Sequence, residues 1–175
     1  MKTPWGKSEQ QAHRADGIVF HTTACHGGFK LDRKRNAQVP VVFRNSGGWY
    51  EEDCEAAKVI ISFPQYFTPE TVEKAHKAVK NYFPDEYEKH FNITINTDAS
   101  IVKRERIFRT ENVDNFVVIA AWGDWHPKVP KGGVIVLAKK QSTGQSKYFI
   151  VPDEEYKNRD GDFVIKSHPE CESII

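Results

Sequence analysis

Apolar positions in the first part of the chain follow two periods. Gly17–Thr23 (GIVFHTT) is β-branched and aromatic, which predicts a strand closing in a Gly27-Gly28 turn. Leu31–Asn36 is charged and reads as a loop or short turn. Val39–Phe43 is brief, apolar and interrupted by Pro40, an edge element at most. From Trp49 the spacing turns helical: Ala56, Val59, Ile60 and Phe63 share a stripe that Pro64 stops. Glu51, Glu52 and Asp53 would stand in its first turn, at the positive end of the helix dipole. A second helix is predicted with Thr68 as N-cap and Pro69 at its first position. Val72, Ala75, His76, Val79 and Phe83 form its buried face, and Pro84 ends it. Asp85 caps a short continuation through Tyr87 and Phe91. Asp98 is placed as the cap of a third helix, with Ile101, Glu105 and Phe108 on one side.

Beyond Asn112 the pattern changes to strands: Phe116–Trp122, Val134–Ala138 and Tyr148–Val151, with Phe163–Ile165 as a further candidate. Gly132-Gly133 and Ser142-Thr143-Gly144 punctuate them as turns. The expected class is α+β: about three helices packed on a mainly antiparallel sheet, ending in a β-meander. One domain over 1–175 is expected, helical over roughly 45–112 and strand-rich over roughly 113–166.

Composition narrows the function classes. The chain has 175 residues, 25 Lys+Arg and 24 Asp+Glu, and is 39% hydrophobic, as folded globular domains are. Near-neutral charge disfavours a protein that coats nucleic acid. No apolar run is long enough to span a bilayer, and MKTPWGKSEQ lacks the apolar core of a secretory signal. Three cysteines without a C-x-x-C pair fit neither a disulfide framework nor a zinc ribbon, and a reducing cytoplasm is the simplest setting. Phosphate-loop, dinucleotide-glycine, HExxH and GxSxG patterns are all absent from the sequence.

The densest chemistry lies at His21-Thr-Thr-Ala-Cys25-His26-Gly27-Gly28 and Trp49-Tyr50-Glu51-Glu52-Asp53-Cys54-Glu55. One reading makes Cys25 a nucleophile, a histidine its base and a carboxylate the orienting group. On an extended strand Cys25 and His26 point to opposite faces, and His21 stands about 13 Å from Cys25, so a Cys–His pair needs a bent loop or a histidine from elsewhere, such as His126. A metal reading draws on His21, Cys25, His26 and an acid from 51–53, but H-x-x-x-C-H obeys no strong ligand spacing. No metal or cofactor is therefore expected. The plain reading has the histidines capping turns, Cys54 as a small buried hydrophobe and the acids favouring a helix start. Glu51, Glu55 and Lys58 are assigned to a solvated helix face. Asp53 borders the buried stripe and is the acid placed beside the glycine turn. The candidate catalytic residues are thus Cys25, His26 and Asp53, with His21, Gly27, Gly28, Tyr50 and Glu52 as binding residues.

Trp122-Gly-Asp-Trp125-His126 forms a second cluster, on a loop that suits a protein partner. Basic clusters at 30–35, 103–106 and 128–140 would follow a phosphate backbone if they shared a face, but interleaved acids favour a solvated surface. His76 reads as a hydrogen-bonded core histidine.

Thr3-Pro4-Trp5-Gly6, Gly17-Ile18-Val19, His26-Gly27-Gly28, Trp49–Glu55 and Val151-Pro152 together resemble an uncharacterised bacterial domain family carried on plasmids, phages and other mobile elements. That resemblance carries over no catalytic residue. It implies a bacterial or phage intracellular setting with an accessory or counter-defence role. The leading expectation is a non-enzymatic, protein-binding, inhibitor-type factor. The alternative is a small hydrolase or transferase with a Cys/His/carboxylate pocket around residues 21–55. Nucleic acid is the less favoured partner class, and no membrane association is expected.

Overall fold

A four-stranded antiparallel sheet organises the N-terminal half. The computed structural model describes residues 1–173. Its contacts fall into two compact units, one over Met1–Glu105 and a second from Arg106 onward, where the sequence reading drew one domain. Among the described residues there are six helices, two four-stranded antiparallel sheets and a two-stranded hairpin, an α+β fold. The α+β class and the C-terminal antiparallel meander are as expected, with six helices and two sheets filling in the outline.

In the first unit the chain runs through β1 (Lys2–Thr3) and β2 (Gly6–Lys7), which pair as a hairpin. Then follow β3 (Gln10–Ala15), β4 (Ile18–Thr22), β5 (Gly27–Leu31), α1 (Arg33–Gln38) and β6 (Trp49–Glu51). Strands β3–β4–β5–β6 form a sheet in sequence order. Partnered residues share a face, so Ile18, Phe29, Leu31 and Tyr50 enter the core while Val19, Lys30 and Trp49 lie on the other side. The β3–β4 turn uses Gly17 at φ +75°, a backbone region that suits glycine.

Two local expectations are overturned here. Gly27 and Gly28 do not make the turn; both are paired residues inside β5, and the reversal is made by Thr23–His26. The Thr23 hydroxyl accepts the His26 N–H at 3.1 Å and donates to the His26 carbonyl at 2.7 Å. Nor does a helix begin near Trp49: Trp49–Glu51 pairs with Gly28–Lys30, and α2 spans Ala56–Ser62. Burial of Tyr50 decides this. Its hydroxyl donates to Asn36 Oδ1 at 2.6 Å and accepts the Asn45 N–H at 3.1 Å, tying the strand to the segment after β5.

The helical layer continues with α3 (Pro69–Tyr82), capped by Thr68 and started by Pro69 as the sequence indicates. Next come α4 (Pro84–Phe91), with Pro84 at its first position, and α5 (Ile101–Glu111), within which the boundary between units falls. Val59, Ala75, Val79 and Tyr87 bury against the sheet residues. Asn96, rather than Asp98, caps the short turn at Thr97–Ala99. Fully buried Ser100 accepts the Lys103 N–H at the start of α5. Leu31–Asn36 ends β5 and opens α1, capped by Asp32, and Val41–Phe43 is a 3-10 turn that buries Phe43.

The second unit is the expected meander: β7 (Phe116–Trp122), β8 (Gly133–Lys140), β9 (Ser146–Pro152), α6 (Asp153–Lys157) and β10 (Glu170–Cys171). Its sheet order is β10–β9–β8–β7, and Val164 bridges to Val117 at the outer edge of β7. One face buries Val134, Val136, Ala138, Phe149 and Val151; the other buries Ile135 with Val129.

Candidate functional site

The end of the first sheet gathers the chemistry that the sequence placed between residues 21 and 55. β5 and β6 bring Gly28 opposite Glu51, and the Glu52 N–H donates to the Gly27 carbonyl at 3.0 Å, extending the ladder by one residue. The Thr23–His26 reversal sets His26 at the same end. His26, Glu51 and Glu52 each offer a ligand atom, and the three atoms lie within 4.8 Å of one another. His26 Nδ1 stands 3.7 Å from Glu51 Oε1.

Glu51 is the residue with an unmet requirement. Its Oε2 accepts the Asp53 N–H at 2.9 Å, but Oε1 is sealed from solvent and accepts no hydrogen bond. A buried carboxylate oxygen without a hydrogen bond is costly, and the His26 ring at 3.7 Å is too far to supply one. Two carboxylates less than 5 Å apart also repel, by about 1 kcal/mol in water and about 3–4 kcal/mol in a surface-like dielectric. Both costs fall when a positive charge enters the cluster.

The glycines make the geometry feasible by leaving space for side chains on both faces of β5. A Cβ on Gly27 would stand 2.5 Å from Glu52 Oε2, and one on Gly28 would meet the Trp5 ring at 2.3 Å. Trp5, carried by the β1–β2 hairpin, lies edge-on to Trp49 at 5.6 Å between ring centroids.

The remaining sequence candidates separate. His21 is buried, with Nδ1 3.0 Å from the Ser8 hydroxyl and its ring edge-on to Trp49; burial pushes its pKa down. Cys25 is exposed at the hairpin tip and has no hydrogen-bonded base among the described residues. Asp53 is exposed in the turn before α2 rather than beside a glycine turn, and Tyr50 is a core residue. Both corrections follow from the strand at Trp49–Glu51, which turns Asp53 outward. Glu51, which the sequence reading assigned to a solvated helix face, is the centre of the cluster. Alternation across Trp49–Glu51 was the available signal for it. Cys54 is half-buried, and burial followed by the neighbouring acids holds its thiol above the ordinary range.

In the second unit the two indoles of the expected loop cluster part company, since Trp122 ends β7 and pairs with Ile135. Trp122 packs beside Tyr148 and the Ile135 cluster, whereas Trp125 is 74% exposed and lies edge-on to His126. Several basic side chains are engaged internally. Lys30 donates to the Gly47 carbonyl, Arg35 to the Asp16 carbonyl and the Tyr66 hydroxyl, and Lys103 pairs with Glu88.

The fold and site together define an α+β protein with a histidine–dicarboxylate cluster at the open end of an antiparallel sheet. The chain belongs to the family described as a domain of unknown function (DUF7007), whose model matches residues 1–113. No curated protein and no solved structure matches it. The matched stretch contains the whole cluster. No helix among the described residues is long and apolar enough to cross a membrane.

Proposed function

We propose that His26, Glu51 and Glu52 bind one divalent transition-metal ion, and that the first unit uses it as a hydrolytic centre. The observation that carries this reading is the orphaned Glu51 Oε1, facing His26 Nδ1 with the Glu52 carboxylate alongside. One imidazole and two carboxylates suit zinc, manganese or iron, and their two negative charges balance a dication. Ligand atoms around such an ion stand roughly 3.4 Å apart at bond lengths near 2.1 Å, so the cluster closes by about an ångström. His26 has the freedom to do this, since half of its side-chain surface is exposed at the hairpin tip. Three protein ligands leave positions open for water and substrate, as in catalytic rather than structural sites, and a bound water is acidified toward neutrality. Cys25 has no part in this chemistry.

The test is calorimetric titration of the full chain with zinc and with manganese. One ion per chain is expected, with affinity falling at least about 10-fold in His26→Ala and in Glu51→Gln. Asp53→Asn, an exposed acid next to the cluster, is expected to bind as wild type does. Equal binding by wild type and Glu51→Gln would remove the proposal.

A second reading has its own observation. The exposed Trp125 beside His126 supports a protein-binding surface in the second unit, in keeping with an accessory or counter-defence factor of a mobile element. The resemblance of the Thr3–Gly6, His26–Gly28 and Trp49–Glu55 segments supports a bacterial or phage setting. The unpaired cysteines support a cytoplasmic one. Under this reading Trp125→Ala abolishes capture of a partner from host lysate while His26→Ala retains it. The reverse pattern would assign recognition to the cluster instead.

A further inference from the structure

A cleft of about 400 Å³ opens on the core-side face of the first sheet, lined by residues of β3, β4 and β5 together with Ala56 and Ile60 of α2. Aromatic rings form its apolar part: Phe20 stands edge-on to Phe29 at 5.0 Å, and Phe29 edge-on to Phe67 at 5.9 Å. Arg14 on β3, Thr71 on α3 and Glu52 supply polar groups at the same cleft. Arg14 is exposed, and its guanidinium has neither a hydrogen bond nor an ion pair among the described residues. Arg35, in contrast, spends its guanidinium on a backbone carbonyl and Tyr66.

This combination has a definite complement. A guanidinium fork with no internal partner matches a carboxylate in bidentate fashion. Packed aromatic edges accept a flat or branched apolar group, and the volume suits one residue rather than a long segment. Glu52, of opposite sign, disfavours a second anion at its part of the cleft and accepts an amide N–H there. We infer that the cleft binds the C-terminal apolar residue of a peptide, with its carboxylate on Arg14 and its side chain among Phe20, Phe29 and Phe67. This goes beyond the cation reading and does not require it, although Glu52 belongs to both places and would set the bound end next to the cation site.

The experiment uses the full chain with EDTA present, so that failure of cation binding leaves the outcome untouched. Binding of Gly-Gly-Phe, its C-terminal amide, Gly-Gly-Gly and free phenylalanine is followed by NMR titration. Gly-Gly-Phe is expected to bind about 10-fold more tightly than the amide or Gly-Gly-Gly, with shifts at Phe20, Phe29 and Phe67. Arg14→Gln erases the difference between acid and amide, and Arg14→Lys restores part of it. Arg14 lies exposed on an edge strand, so neither variant threatens the fold. Equal binding of acid and amide by wild type would overturn the inference, as would shifts confined to other residues. Free phenylalanine binding as tightly as the peptide would overturn the peptide assignment.

Discussion

Replacing Gly28 by alanine puts a methyl group in place of a hydrogen at a point where the first unit has no room for it. The new Cβ would lie 2.3 Å from Trp5 Cη2, 2.7 Å from Trp5 Cζ3 and 2.4 Å from the Tyr50 carbonyl oxygen. The indole can swing aside, but the carbonyl belongs to β6, so relief also requires β5 and β6 to separate locally. Overpacking of this kind costs about 1–3 kcal/mol. Displacing a half-buried indole forfeits roughly 100 Å² of apolar contact, about 2.5 kcal/mol at 25 cal/mol/Å². The sum, about 3.5–5.5 kcal/mol, is a large part of the stability of a small domain. Urea unfolding followed by far-UV circular dichroism measures it without relying on the indole signal. Trp5→Ala alone should cost about 2–3 kcal/mol, and the double variant clearly less than the sum, because without the ring only the carbonyl overlap remains. A Gly28→Ala chain within about 0.5 kcal/mol of wild type, or strict additivity with Trp5→Ala, would refute the packing argument.

Three further expectations concern the supports of the site and core. Tyr50→Phe leaves the Asn45 N–H and Asn36 Oδ1 without their buried partner and should cost about 1–3 kcal/mol by denaturant titration. Ser100→Ala removes both a bond to the Asn81 carbonyl and the acceptor for the Lys103 N–H, and should lower stability by about 1–2 kcal/mol in the same measurement. Burial holds the pKa values of His21 and His76 below the ordinary 6.5, so the unfolded chain binds a proton at a higher pH than the fold does. Stability is therefore full above about pH 6.5 and falls as pH drops through that value toward the folded pKa values. His76→Gln should flatten the decline in urea midpoint between about pH 7.5 and 5.5, and an undiminished decline would exclude His76 as a source.

Legibility in the sequence followed the range of the forces involved. Helix α3 was readable because its cap, its N1 proline and its apolar spacing are all local. The meander was readable for the same reason, since long β-branched runs alternate with glycine turns. Trp49–Glu51 reads as helix from local spacing alone, because its strand character comes from distant partners: Gly28–Lys30 across the ladder and Asn36 at the Tyr50 hydroxyl. Reading a helix from Trp49 put Asp53 at the core border and Glu51 in solvent, the reverse of what the strand produces. The Gly27-Gly28 pair reads locally as a turn because glycines commonly make turns. Here their missing side chains serve Glu52 and Trp5, which no local pattern announces. His26 lies in the dense region that the sequence marks. Its alignment with two successive glutamates needed the register of β5 on β6.

The central claim is that His26, Glu51 and Glu52 close on one divalent cation, and anomalous diffraction tests it most directly. Crystals of the full chain soaked in zinc and measured across the zinc edge should show one strong peak. It should lie about 2.0–2.2 Å from a His26 ring nitrogen, Glu51 Oε1 and a Glu52 carboxylate oxygen. An empty cluster, with zinc found only at other histidines such as His13 or His126, would contradict the claim.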